Sequence, residues 1–91
     1  MSSQQPSSLN IKAPDAVLAG KYANMMQVSH SGEEFVLDFI CAFEPAGELV
    51  SRLVVSPRHM KRIVHALQDN IKKYEDQHGS ISEANEPKLL S

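Results

Sequence analysis

Residues 34–57 read EFVLDFICAFEPAGELVSRLVVSP and contain two strand candidates, the turn between them and the start of a helix. The runs 34–43 and 48–56 are rich in β-branched and aromatic residues, which favour strands. Residues 44–47, EPAG, have the composition of a turn. Because this connection is short, the pattern predicts an antiparallel hairpin.

A third strand and a long helix are predicted on either side of this hairpin. The strand covers residues 22–29 and is joined to the hairpin by the turn sequence HSGE at residues 30–33. The helix covers Pro57–His78, with Ser56 as its N-cap and Gly79 as the residue that ends it. Apolar residues recur along the helix at spacings of three and four, which predicts a single apolar stripe. These residues are Met60, Ile63, Val64, Leu67, Ile71 and Tyr74.

The predicted fold class is α+β, a three-stranded antiparallel β-meander packed on one long C-terminal helix. Residues 18–79 are predicted to form this single domain. Residues 1–17 and 80–91 are rich in Ser, Gln, Pro and Glu and are predicted to be mobile, disordered tails. A core drawn from roughly sixty residues is small, and domains of that size often gain stability by oligomerisation.

Composition limits the kinds of partner and the cellular compartment that can be predicted for the chain. The formal net charge of −2 does not favour attraction of the whole molecule to nucleic acid. The sequence contains no apolar run of about eighteen residues, so no membrane partner is predicted. Residues 2–8 are polar, unlike a signal peptide, and the single cysteine, Cys41, cannot form an internal disulfide. A cytoplasmic location is therefore predicted.

The strand register can be predicted from side-chain chemistry. Val28 is placed opposite Phe35, and Asp38 opposite Arg52, where the two charges can pair. Because side chains alternate between faces, this register predicts one apolar face, which we assign to the helix. It contains Met26, Val28, Phe35, Leu37, Phe39, Leu53 and Val55.

The opposite face, called the second face below, is also largely apolar and has the Asp38–Arg52 pair at its centre. One helix cannot cover both faces, and large apolar surfaces usually mark interaction sites. We therefore predict that a second copy of the chain covers it, in a homodimer or larger assembly. The alternatives are cover by residues 11–18 of the same chain, a face that stays exposed, or a register different from the predicted one. The predicted interface residues are Met25, Gln27, Val36, Asp38, Ile40, Val50, Arg52 and Val54.

The first turns of the helix carry a cluster of basic side chains, which we call the basic helix end. Free backbone N–H groups at a helix N-terminus attract anions, so the cluster predicts a phosphate, nucleic-acid or acidic-partner site. The alternative is a solvated helix face whose long side chains cover the sheet edge. The residues are Arg58, His59, Lys61 and Arg62.

No catalytic or metal-binding constellation is apparent, so the chain is predicted not to be an enzyme and to need no cofactor. His59 and His65 lie on different helix faces, while His65 and Asp69 share one at a spacing typical of a surface hydrogen bond. The predicted function is a protein-interaction module that binds itself, or another protein. A nucleic-acid- or phosphate-binding regulator is the alternative, and a small hydrolase or metal enzyme is a third hypothesis.

Several segments resemble a small bacterial family of unknown function. The resemblance covers residues 21–79, and members of that family often carry Gly where this chain has Ile40. It implies a bacterial context and no catalytic residues. The matching segments are Tyr22-Ala23-Asn24, Val36-Leu37-Asp38-Phe39, Ser51-Arg52-Leu53-Val54-Val55-Ser56-Pro57, His59-Met60-Lys61-Arg62 and Ala66-Leu67-Gln68-Asp69-Asn70-Ile71-Lys72-Lys73-Tyr74-Glu75.

Overall fold

The computed structural model describes residues 9–82 of the 91-residue chain. Three strands form one antiparallel sheet in the order β1-β2-β3, and a long helix follows, which confirms the predicted α+β class and meander. The predicted tails extend into residues 1–8 and 83–91, which lie outside the described residues. The elements are α1 (Asp15–Leu18), β1 (Met25–His30), β2 (Phe35–Phe43), β3 (Ala46–Val55) and α2 (Pro57–His78). The short helix α1 begins within the stretch predicted to be the N-terminal tail.

The hairpin between β2 and β3 has the predicted register over most of its length. Asp38 pairs with Arg52, and Leu37 pairs with Leu53. The register shifts between Phe39 and Ile40, as at a β-bulge. This irregularity was not predicted, and it changes which residues share a face at that end of β3.

The register between β1 and β2 differs from the prediction by two residues. Val28 pairs with Leu37, not with Phe35, and His30 takes the position opposite Phe35. The physical reason is the position of the turn, which lies one residue further along the chain than the predicted register requires. Ser31 N donates to Glu34 O over 2.9 Å, which closes a tight loop and brings the two strands together immediately before it. A shift of two residues keeps every side chain on its predicted face, because strands alternate with a period of two.

Asn24 extends the pairing of β1 with β2 beyond the end of β1. Its backbone N–H donates to Ile40 O over 3.0 Å. Its side-chain amide donates to Ala42 O over 3.0 Å and accepts from Ala42 N over 2.8 Å. The side chain thus supplies the donor and the acceptor that a paired strand would provide, and it satisfies both backbone groups of Ala42.

The helix departs from the predicted packing on the sheet. Met60 and Ile63 in its first two turns are half-buried, but the stripe beyond them is exposed, and Leu67 retains 58% of its accessible surface. Within residues 9–82, α2 makes no extended contact with any strand. Ser56 is the single residue between β3 and α2. A link of one residue limits the directions in which the helix can leave β3.

The core of the described chain is therefore small. Leu37, in the central strand, is the one apolar residue in residues 9–82 that is buried, with 5% of its surface exposed. Its neighbours on the first face, Val28, Phe35, Phe39 and Val55, are half-buried. Burying apolar surface is the main favourable term in folding, so residues 9–82 gain only modest stability from this core.

Replacing Asn24 with Ala should lower the free energy of unfolding by about 1–2 kcal/mol, because Ala42 loses both partners of its backbone groups. The measurement is urea denaturation at one fixed protein concentration. Asn10→Ala, at an exposed position before α1, is the matched control and should change little. An Asn24→Ala protein as stable as the control would show that the side-chain pairing contributes nothing to the fold.

Candidate functional site

The second face is a largely apolar surface with a polar centre. Met25 pairs with Ile40, and Gln27 pairs with Asp38 across β1 and β2. Across β2 and β3, Val36 pairs with Val54 and Asp38 with Arg52. Since paired residues share a face, the register brings most of the predicted interface residues together. Those on this face are Met25, Gln27, Val36, Asp38, Ile40, Arg52 and Val54.

Val50 is the exception among the predicted interface residues, and Leu49 takes its place. After the bulge, Ile40 pairs with Leu49 and Phe39 with Ser51, which leaves Val50 as the extra residue. Val50 lines a cleft of about 480 Å³ together with Phe39 and Ser51. Sequence patterning could not find Leu49, because Leu49 and Val50 are both apolar and strict alternation selects Val50.

The N-terminal segment lies beside the first face. Ala16 and Val17 of α1 line the same cleft as Phe39, which belongs to the first face. This is the segment that offered an alternative cover for the second face. In the structure, this segment lies instead on the opposite side of the sheet, near the bulge.

Asp38 and Arg52 form a bidentate ion pair at the centre of the second face. Arg52 Nε donates to Asp38 Oδ1 over 2.6 Å, and Arg52 Nη2 donates to Oδ2 over 2.9 Å. The Asp38 side chain is 15% exposed, whereas that of Arg52 is 59% exposed. The hydrogen bonds from Arg52 hold the pKa of Asp38 below its ordinary value, with its positive charge acting in the same sense and desolvation opposing both. Both carboxylate oxygens therefore have a partner before any association.

The apolar side chains around this pair keep accessible surface. Val54 is 53% exposed and Leu49 is exposed to a similar degree, while Met25, Val36 and Ile40 are half-buried. A sheet face turned to water is usually polar. This face instead combines apolar side chains with a satisfied ion pair, which is suited to contact with another protein surface.

The basic helix end is exposed and has little free backbone to offer an anion. Arg58, His59, Lys61 and Arg62 are all exposed, and none forms a salt bridge with a residue in the described part of the chain. Ser56 is the N-cap, as predicted. Its Oγ accepts from His59 N over 3.1 Å, and its carbonyl accepts from Met60 N over 2.9 Å. Pro57 has no N–H, so an anion at this end would be held mainly by side chains.

Two further observations concern metal and membrane binding. Among residues 9–82, no three His, Cys, Asp or Glu side chains are grouped as a metal site would require. Within the same residues, no helix has the length and apolar character needed to span a membrane.

Comparison with known families gives one match. The family described as "Protein of unknown function (DUF3467)" matches residues 1–83. The predicted resemblance to a family of unknown function is thereby confirmed. No curated protein and no solved structure matches the chain.

The ion pair makes stability depend on pH in a defined direction. Folding lowers the pKa of Asp38 from about 3.8. The contribution of the ionised Asp38 to the free energy of unfolding is therefore complete above that pH and is lost as the pH falls through the lowered pKa. The melting temperature of the wild type should therefore exceed that of Asp38→Asn by a constant amount near pH 6. This difference should shrink below about pH 3.8. Thermal melts followed by circular dichroism measure it, and a gap that stays constant down to pH 2.5 would contradict the assignment.

Proposed function

We propose a self-association role for this chain, which belongs to the DUF3467 family. The chain acts as a non-enzymatic protein-interaction module that forms a homodimer through its second face. The observation that carries this proposal is the exposed apolar surface around the satisfied Asp38–Arg52 pair.

The small core supports an oligomeric state. A chain with Leu37 as its one buried apolar residue in residues 9–82 leaves large apolar side chains exposed on the sheet and on the helix. Such surfaces on a single chain usually mark association sites. A second copy is the simplest partner, because closed two-fold dimers are the commonest homo-oligomers.

The polar centre suits a specific contact. Burying charges is costly unless they are paired and hydrogen-bonded. Asp38 already accepts two hydrogen bonds from Arg52, so covering the face leaves neither carboxylate oxygen unsatisfied. In a two-fold contact, the ion pair of each copy would set the position at which the two faces meet, while the apolar residues around it supply the driving force.

The proposed setting is the bacterial cytoplasm. The bacterial part of this proposal comes from the family resemblance of residues 21–79. The single cysteine, Cys41, is free and half-buried in β2, as is typical of proteins from reducing compartments.

A second candidate function is binding of phosphate or nucleic acid at the basic helix end. The observation that favours it is the exposure of four basic side chains without a salt bridge among residues 9–82. The Ser56 cap and Pro57 argue against it, because they remove most of the backbone donors that make a helix end attractive to anions.

Light scattering tests the proposed dimer. The wild type should have twice the mass of one chain. Ile40→Lys should raise the dissociation constant at least about thirtyfold, because it places an unpaired charge in the contact. Leu53→Lys is the matched control, since Leu53 pairs with Leu37 on the first face. A wild type that stays monomeric at all concentrations, or an Ile40→Lys protein that associates as strongly as the control, would refute the proposal.

Salt-dependent binding tests the second candidate. If the basic helix end binds nucleic acid, affinity for mixed-sequence single strands should fall with salt, by a slope of about −0.7 for each phosphate contacted. The combined Arg58→Ala, Lys61→Ala and Arg62→Ala variant should then lose that affinity. Unchanged affinity in this variant would remove the helix end from consideration, and circular dichroism would check that α2 remains folded.

A further inference from the structure

The exposed stripe of α2 has the spacing of a coiled-coil seam. Its residues are separated alternately by four and three positions, as at the a and d sites of a heptad repeat. β-Branched Val64 and Ile71 occupy the a sites, and Leu67 and Tyr74 occupy d sites. Beyond the half-buried Met60, all four are exposed. Because this helix makes no extended contact with its own sheet within residues 9–82, its apolar seam is suited to packing against a second helix.

We propose that two copies of α2 pair antiparallel through this seam. In an antiparallel pair, the residues on one side of the seam lie next to the residues on the corresponding side of the partner's seam. Lys61 and Glu75 lie two heptads apart on one side. Antiparallel pairing therefore places Lys61 next to the partner's Glu75, and the two-fold symmetry of the dimer gives two such ion pairs.

The parallel arrangement lacks this complementarity. It would place Ile63 beside the partner's Gln68 and Asn70 beside the partner's Glu75, with no pair of opposite charges. It would also bring the two basic helix ends together. Unlike charges attract and like charges repel across such flanking positions, so the charge pattern selects the antiparallel arrangement.

The carboxylate of Glu75 can accept this contact. Ile81 N donates to its Oε2 over 2.9 Å, which orients the side chain and leaves Oε1 for an incoming ammonium group. Lys61 is exposed and has no salt bridge among residues 9–82.

Antiparallel pairing also accounts for the basic helix end. Cations at a helix N-terminus oppose the helix dipole of their own chain. An antiparallel partner brings the negative C-terminal end of its helix dipole, together with Glu75, alongside that end. The unfavourable field within each helix is then offset by the neighbouring helix.

This inference rests on the proposed self-association, because the seam is short. A helix of 22 residues is about 33 Å long, and so few heptads do not hold two chains together alone. The helix pairing and the second face act together, but they use different residues and can be tested separately.

Cysteine cross-linking tests the arrangement in a Cys41→Ser background. Antiparallel pairing places Val64 opposite the partner's Tyr74, whereas the two copies of Val64 are about 15 Å apart along the axis. Mild oxidation of a mixture of Val64→Cys and Tyr74→Cys should therefore give mainly the mixed covalent dimer, identified by its mass. A disulfide needs Cα atoms within about 7 Å, so neither variant should link to itself. Asp69→Cys, on the opposite side of the helix, is the matched control and should not link.

Charge reversal supplies an independent readout. Lys61→Glu should raise the dimer dissociation constant about three- to tenfold, since two surface ion pairs become repulsions, and adding Glu75→Lys should restore it. Self-linking of Val64→Cys, or no linking above the Asp69→Cys control, would overturn the antiparallel pairing. If the wild type is dimeric in light scattering while the helices fail to link, only this inference fails. If the helices link and Ile40→Lys remains dimeric, the second face is not the contact.

Discussion

The one-residue link at Ser56 determines where the apolar surfaces of this chain point. Ser56 ends β3 and caps α2 at once, through its hydroxyl and its carbonyl. With one residue between the two elements, the helix follows β3 directly, and in the described residues it makes no extended contact with the sheet. The first face is half-buried around Leu37, whereas the second face and the helix stripe beyond the second turn keep accessible surface. A single copy leaves apolar side chains of the second face and of this stripe partly in water, at a cost that burial against a second copy would remove.

In the proposed dimer, charge gives these surfaces their specificity. On the sheet, Asp38 and Arg52 pair within one chain, so the centre of the second face is satisfied before contact. On the helix, Lys61 and Glu75 lie too far apart to pair within one chain and become complementary only between two antiparallel copies. The first arrangement limits the cost of burial, and the second selects an orientation. In that dimer, both would turn a non-directional apolar attraction into a contact of defined geometry.

Much of the local structure could be predicted from residue chemistry alone. Ser56, Pro57 and Gly79 marked the ends of α2, because capping depends on the residues at the helix ends themselves. The alternation of apolar residues assigned side chains to faces, and the Asp38–Arg52 pair set the hairpin register. The two-residue error at Val28 did not disturb the faces, since the period of a strand is two. For the same reason, the candidate face could be predicted almost completely.

The sequence by itself determined the three strands, α2, their order and most of the faces on which residues lie, because these follow from short-range periodicity and end-capping, but it did not predict α1. The tertiary structure alone decided three things. The tight loop at Ser31–Glu34 set the register of β1, and the bulge exchanged Val50 for Leu49 on the second face. The direction of α2 left its stripe unpacked. Each depends on how connected elements meet in space. An apolar pattern indicates that a residue is suited to burial, but it does not indicate which surface covers that residue.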